Sequence, residues 1–149
     1  MYMNPQKLKN IFIQGAVSAS FIAESIRQHS TKTDIGAHSI FLGQVRNDII
    51  NQNTVVAIEY TAYESMALEQ MALIREEIFG KYTLTCMHIY HSLGYVKVGE
   101  ICLFVFTSSK HRKSAMNACE EVVERIKKEL PIWGKELYGD TGYKWKENN

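Results

Sequence analysis

Apolar and polar positions repeat with two different periods along this chain, and the switches between them lay out its elements. Residues 36–45 are an apolar run expected to be a buried strand, and residues 54–63 alternate with Val56, Ile58 and Tyr60 on one face, as a half-buried strand should. Residues 64–79 change to helical spacing, with Ala67, Met71, Ile74 and Ile78 as the apolar stripe and Gly80 as the stop. Two further strands are expected over 82–91 and 100–107, joined by a turn at 92–99. A long helix follows over 110–130, with Ala115, Ala118, Cys119, Val122, Ile126 and Leu130 inward and Pro131 ending it. Shorter elements complete the pattern: a strand over 11–14, a helix over 17–29 with Phe21, Ile22 and Ile26 inward, and a strand over 143–146. Polar residues 46–53 make a turn-rich connection. Hairpins mix with single helices in the order β–α–β–β–α–β–β–α–β. An α+β domain is therefore expected rather than a doubly wound sheet.

The 149 residues suit one domain over 1–149, long enough to bury a core. Seventeen lysines and arginines face 16 acids, so the overall field is weak and any anion site has to be local. Together with the lack of an exposed aromatic–basic strand pattern, this argues against a nucleic-acid-binding domain. No stretch approaches the ~20 apolar residues that span a bilayer. Residues 1–10 lack the apolar core of a secretion signal. Cys86, Cys102 and Cys119 are odd in number, widely spaced and set in apolar patterns. Buried thiols in a reducing cytoplasm are expected, with no zinc site or disulfide frame.

Candidate chemistry gathers in two basic clusters. In FTSSKHRKSA, residues 106–115, an apolar strand gives way to Ser108, Ser109, Lys110, His111, Arg112 and Lys113 at the mouth of the long helix. Cations there oppose the helix dipole, and such local conflicts concentrate at functional sites. Free backbone N–H groups, hydroxyls, an imidazole and a guanidinium together make an oxyanion cradle; a solvated basic loop is the plain alternative. Arg125, Lys127 and Lys128 stand at the far end of the same helix, with Lys135 beyond. The dipole favours cations at that end, so their presence needs no function. His111 and Lys127 are 16 positions apart, about 24 Å at ~1.5 Å per residue. Either the sites are unrelated, or a twofold dimer brings one chain's helix start to its partner's helix end. His88 and His91, three apart on a strand, point to opposite faces and cannot easily chelate one ion.

The segments GAHSIFLGQVRN, IEYTAYESMA, HSLGYVKVGE, TSSKHRKSA, RIKKELPIWGKE and GYKWKE, in this order from Gly36 to Glu147, resemble the large, catalytic subunit of molybdopterin synthase. The resemblance implies an α/β-hammerhead type of fold with a mixed or antiparallel sheet and flanking helices. It implies a homodimer flanked by two copies of a small ubiquitin-like sulfur-carrier subunit, forming a heterotetramer. The substrate would be cyclic pyranopterin monophosphate, precursor Z, which receives two sulfurs from the carrier's thiocarboxylated glycine-glycine tail to make the molybdopterin dithiolene. No cofactor or metal is implied at this step.

Carried over by position, Gln44, Val45 and Arg46 fall on the family's strand-end substrate contact, and Phe41 on the pocket wall. His111 and Arg112 match the anion-binding pair supplied by the neighbouring chain. Lys127 matches the central lysine beside the carrier's tail, and Gly134, Lys135 and Glu136 the end of the lysine-rich motif. Lys127 and Lys135 are the expected catalytic residues. One departure stands out: Gly134 follows Trp133 where the family usually has lysine. If Gly134 replaces that lysine, a pocket cation is missing and Lys135 has to turn inward. If Gly134 is inserted, Lys135 is itself the expected lysine. A carrier-docking or regulatory homologue with little turnover is the alternative, with Gly134 as its trace.

Overall fold

The protein is described from a computed structural model covering residues 8–139 and 142–147. In chain order its elements are β1 (Phe12–Gln14), α1 (Ala19–Gln28, then a 3-10 turn His29–Thr31), β2 (Ala37–Gln44), β3 (Ile49–Ile50), β4 (Asn53–Ala62), α2 (Glu64–Lys81), β5 (Cys86–Lys97), β6 (Ile101–Ser109), α3 (Arg112–Glu129), β7 (Ile132–Tyr138) and β8 (Tyr143–Trp145). The strands form one sheet in the order β2-β6-β5-β4-β7-β8, with β3 paired to β4 and β1 to β5. All pairings are antiparallel except β1 with β5. The α+β expectation holds.

Two helices cover the sheet through the apolar stripes that their spacing predicts. Ala67, Met71, Ile74 and Ile78 are the buried residues of α2; Ala115, Ala118, Cys119, Val122, Val123 and Ile126 are those of α3. Apart from Ala67 and Ala115, these residues join Ile58, Tyr60, Ile89, Val96, Leu103 and Val105 in the main core. Arg125 ties the two helices together, its guanidinium 2.6 Å from Glu77 of α2 and 2.6 Å from Glu129 of α3. All three cysteines are buried and unpaired. No helix among the described residues is long and apolar enough to cross a membrane.

Several expectations are corrected. The strand over 36–45 is half-buried, not buried, because β2 is the sheet's edge: its residues alternate, and Ile40 and Leu42 are exposed. Val56 does not share a face with Ile58 and Tyr60. A register shift between Val55 and Ala57 changes the strand's phase, so Val55 and Ala57 go inward while Val56 stays exposed. Gly80 does not stop α2, which continues through Lys81. Helix α1 buries no residue completely; Ile26 is exposed, and Phe21 meets Tyr90 and Phe104 edge-on. The expected turn at 92–99 is mostly strand, since β5 runs through Lys97 and the chain reverses tightly around Gly99. Strands β3 and β7 were not anticipated. The first is a short hairpin arm whose turn, Asn51-Gln52, takes positive φ at both residues.

Candidate functional site

Strand β7 decides the geometry of the site. It pairs with β4 without interruption from Ala62↔Ile132 to Ala57↔Leu137, so no bulge surrounds Gly134. Period-two alternation then sorts its residues. Ile132 and Gly134 face a cavity of about 40 Å³ that is also lined by Tyr60, His91, Cys102, Leu103, Ile126, Lys127 and Lys146. Buried Glu136 continues the inward face, whereas Trp133 is exposed. Lys135 faces away: its Nζ lies 4.5 Å from the Tyr143 ring centroid, 5.5 Å from that of Trp145 and 3.9 Å from Glu59. Lys135 therefore does not join Lys127 in this chain. The ladder is regular around Gly134, and Gly134 holds the inward position itself.

Lys127 reaches the cavity because it sits on the last turn of α3, one residue after buried Ile126, and is itself half-buried. Across from it, His91 comes from β5. The His91 ring is buried, and burial pushes its pKa down to about 4, with Lys127 adding to the shift. Its Nδ1–H donates to the Ser92 carbonyl at 2.8 Å, which leaves Nε2 the unprotonated nitrogen of a neutral ring. Burial also raises the Tyr60 phenol, with Cys102 and Glu136 adding to it. The described lining thus holds two amines, a neutral imidazole and a neutral phenol, and no carboxylate. Buried Glu136 stands two residues beyond Gly134 on the same strand face, close enough to help raise the Tyr60 phenol, so a carboxylate borders this lining. At ~10–15 Å³ of centre space per water, the cavity admits a few waters or the slim end of a chain; anything wider has to lie across its mouth.

The end of β2 belongs to the same region. Gly43 pairs with Leu103 and Gln44 with Ile101, and the Cys102 thiol donates to the Gly43 carbonyl at 3.4 Å. Gln44 is exposed, while Val45 is buried in the core and holds the β5–β6 turn through hydrogen bonds with Glu100 and Gly99. Arg46, with 71% of its side chain exposed, pairs with Asp48 at 3.2 Å. Phe41 packs half-buried against the core.

His111 and Arg112 lie elsewhere. His111 caps α3 and Arg112 opens it; both are exposed, and no acid occupies the first turn. The two hydroxyls expected to serve an oxyanion cradle are buried and committed. Ser108 is hydrogen-bonded to His38 Nδ1 at 2.7 Å, and Ser109 donates to the Thr83 carbonyl at 2.6 Å. Helix α3 is unbroken, so this cluster stays about 24 Å from Lys127 within one chain.

A roomier hollow of about 310 Å³ lies on the far side of α2, between Leu8, Lys9, Met71, Arg75 and Phe79. None of the expected site residues lines it. Among the described residues, one group has the makings of a metal site: ligand atoms of His29, Cys86 and His88 lie within 4.8 Å of one another. Each already has a partner, however. His29 meets His88 at 3.0 Å and the Ser25 carbonyl at 2.7 Å, and Cys86 meets Lys32 at 3.0 Å. Burial, His29 and the nearby Lys9, Arg75 and Lys32 hold the His88 pKa at about 4. A dication would enter a positive field.

A family model described as MoaE protein matches residues 16–129. The chain belongs to the MoaE protein family. It is 41% identical over 116 residues to molybdopterin synthase catalytic subunit 1 of Aedes aegypti, covering 76% of this chain and 74% of that one. To the Bacillus subtilis catalytic subunit it is 39% identical over 122 residues, covering 82% and 76%. A Drosophila willistoni relative is much longer; the chain spans 31% of it, at 43% identity. The crystal structure of molybdopterin synthase from Staphylococcus aureus superposes with a TM-score of 0.80 at 32% identity, covering 98% of this chain and 99% of that one. A Helicobacter pylori complex of molybdopterin-converting factor subunits 1 and 2 shares the fold, with a TM-score of 0.77 at 22% identity over 90% and 87% of the chains.

Within this MoaE chain, the matched stretch contains Arg46, His111, Arg112 and Lys127 but ends before Gly134 and Lys146. Sequence reasoning overlooked Tyr60, His91, Cys102 and Lys146 as lining residues. The usable signal was phase: His88 and His91 face opposite sides of β5, so one of them had to meet the α3 side.

Proposed function

We propose that this chain is the catalytic subunit of a molybdopterin synthase, an enzyme of molybdenum cofactor biosynthesis, and that Lys127 stabilises the charge that develops during sulfur transfer. The observation that carries this reading is the placement of Lys127 in a narrow cavity beside a neutral His91. Its partner would be the small ubiquitin-like carrier, whose thin C-terminal tail suits an opening of this size. Precursor Z would lie across the mouth near Arg46, and its phosphate on His111 and Arg112 of a second copy of the chain. That arrangement reconciles two anion-favouring clusters that one chain holds apart.

In the reaction, the thiocarboxylate sulfur attacks a substrate carbon while the carbon–oxygen bond to the leaving oxygen breaks. The product is a thioester linking carrier and substrate, and the leaving oxygen takes up a proton. Lys127 can supply that proton or balance the negative charge. Water then cleaves the thioester, releasing the carrier as a carboxylate and leaving sulfur on the substrate. No protein nucleophile takes part. The test is incubation with precursor Z and thiocarboxylated carrier, scoring dithiolene formation. The expected result is turnover by the native chain; carrier binding without product would identify a docking homologue instead.

A further inference from the structure

Helix α2 carries a second stripe beside its core stripe. Leu68, Met71, Ala72, Arg75, Glu76 and Phe79 follow one another at the spacing of a single helix face and line the hollow of about 310 Å³. Arg75 reaches from this stripe to the sheet. Strand β1 pairs with β5 only from Phe12↔His91 onward, so the edge of β5 before His91 has no strand partner among the described residues. There the Arg75 guanidinium donates to the Met87 carbonyl at 2.6 Å. That bond leaves most of the guanidinium's donors uncommitted. Two further hollows, of about 310 and 200 Å³, share Lys9 and Arg75 with the first. Lys32, Thr85 and His88 also line the larger, and Asn10, His88 and Tyr90 the smaller.

These cations are not neutralised by acids. Lys32 meets the Cys86 thiol and Arg75 a carbonyl, and among the described residues Lys9, Lys32 and Arg75 form no ion pair. No carboxylate is in the described lining of the two further hollows; Glu76 borders only the first, where it is exposed. The crowding is felt: burial, then Arg75 and Lys32, push the Lys9 amine below its ordinary pKa.

We propose that these adjoining hollows bind a small organic phosphate, its phosphate held by Lys9, Lys32 and Arg75 and its apolar or ring portion lying against Met71 and Phe79. Two ammonium groups and the rest of the guanidinium fork supply charge-assisted donors, and the Thr85 hydroxyl adds a neutral one. Phe79 lines both the apolar hollow and the basic one, so a phosphate and a ring a few bonds apart can occupy both. The size suits a small ligand. None of these residues lines the Lys127 cavity, so this inference does not depend on the proposed function.

The test is calorimetric titration of the full chain with adenosine 5′-monophosphate, adenosine and inorganic phosphate. The monophosphate should bind at least about tenfold more tightly than either fragment, and less tightly as salt is raised. The double variant Lys9→Met with Lys32→Met should weaken monophosphate binding by about tenfold or more, and Lys9→Arg with Lys32→Arg should restore it. Phe79→Ala should weaken the monophosphate while leaving inorganic phosphate unchanged. Arg75 is left intact in these variants because it also braces β5. Arg112→Ala, at the other basic cluster, should bind the monophosphate as the parent does. No binding of the monophosphate, equal affinity for adenosine, an unaltered affinity in the lysine-to-methionine pair, or a loss caused by Arg112→Ala would each overturn the site.

Discussion

The two ends of α3 carry similar residues and are built differently. At its start, His111, Arg112 and Lys113 are exposed, face no acid in the first turn and oppose the helix dipole. At its far end, Lys127 is half-buried in a walled cavity, and Arg125 is locked between Glu77 and Glu129. The start is electrically unusual but has no walls; the far end is electrically ordinary but fully constructed. The charge pattern singles out the start of the helix, and the walls single out its far end. In this chain the two marks fall on opposite ends of one helix, about 24 Å apart.

The largest expected effect tests the constructed end. Lys127→Ala should lower the rate of dithiolene formation by at least ~100-fold, the usual range for a lost general acid or oxyanion partner. Folding should survive, because the long lysine is not part of the main core. Near-normal turnover with loaded carrier would show that the cavity is not where the chemistry occurs.

Legibility followed the same division. The stripes of α2 and α3 were plain because four or more small or aliphatic residues recur at helical spacing and every one is buried. Strand β7 was not. It places Trp133 outward and Glu136 inward and interrupts the run with Gly134, so its apolar pattern is inverted relative to its burial. The residues that line the cavity come from four strands, α3 and the chain after β8, and their convergence depends on register that spacing alone does not encode. The family resemblance supplied Lys127 and Arg112. It also directed attention to Lys135, which the alternation of β7 turns to the other face.

A second prediction concerns the neutrality of the constructed end. His91 has a folded pKa of about 4 against an ordinary 6.5, so between these values the unfolded chain binds the proton and the native chain does not. Its contribution to stability is complete above pH 6.5 and is lost as pH falls toward 4, on the order of 3 kcal/mol for such a shift. His88 shifts to about 4 for the same main reason and adds to this acid limb. Urea unfolding across this range should show His91→Gln with a shallower decline than the parent. An unchanged slope would mean that His91 is protonated, or hydrated, in the native state.

At the open end, Arg112→Ala should raise the substrate concentration needed for half-maximal rate by about tenfold, the equivalent of one charge-assisted contact. Maximal rate should change much less. Mixing Lys127→Ala chains with His111→Ala chains sharpens the comparison further. A heterodimer of the two keeps one complete composite site, so activity should return above that of either variant alone. No recovery, with heterodimers demonstrated by mass, would mean that each chain works alone and that the basic helix start is a solvated surface.

The smallest expected effect concerns the wall between Lys127 and Lys146. Gly134→Ala places a methyl group 3.0 Å from Ile58 Cγ2 and 3.1 Å from Tyr60 Cε1, inside the ~3.5–4.0 Å of comfortable carbon contact. Both neighbours are buried and cannot move far. Overpacking of this kind costs ~1–3 kcal/mol, and the lower backbone entropy of alanine returns ~0.5–1 of it. A net loss of about 1 kcal/mol is expected, seen as a lower urea midpoint with an unchanged slope. The same methyl group should narrow the cavity beside Lys127 and slow sulfur transfer. An alanine variant as stable and as active as the parent would show that Ile58 and Tyr60 give way easily and that the cavity tolerates a narrower wall at Gly134.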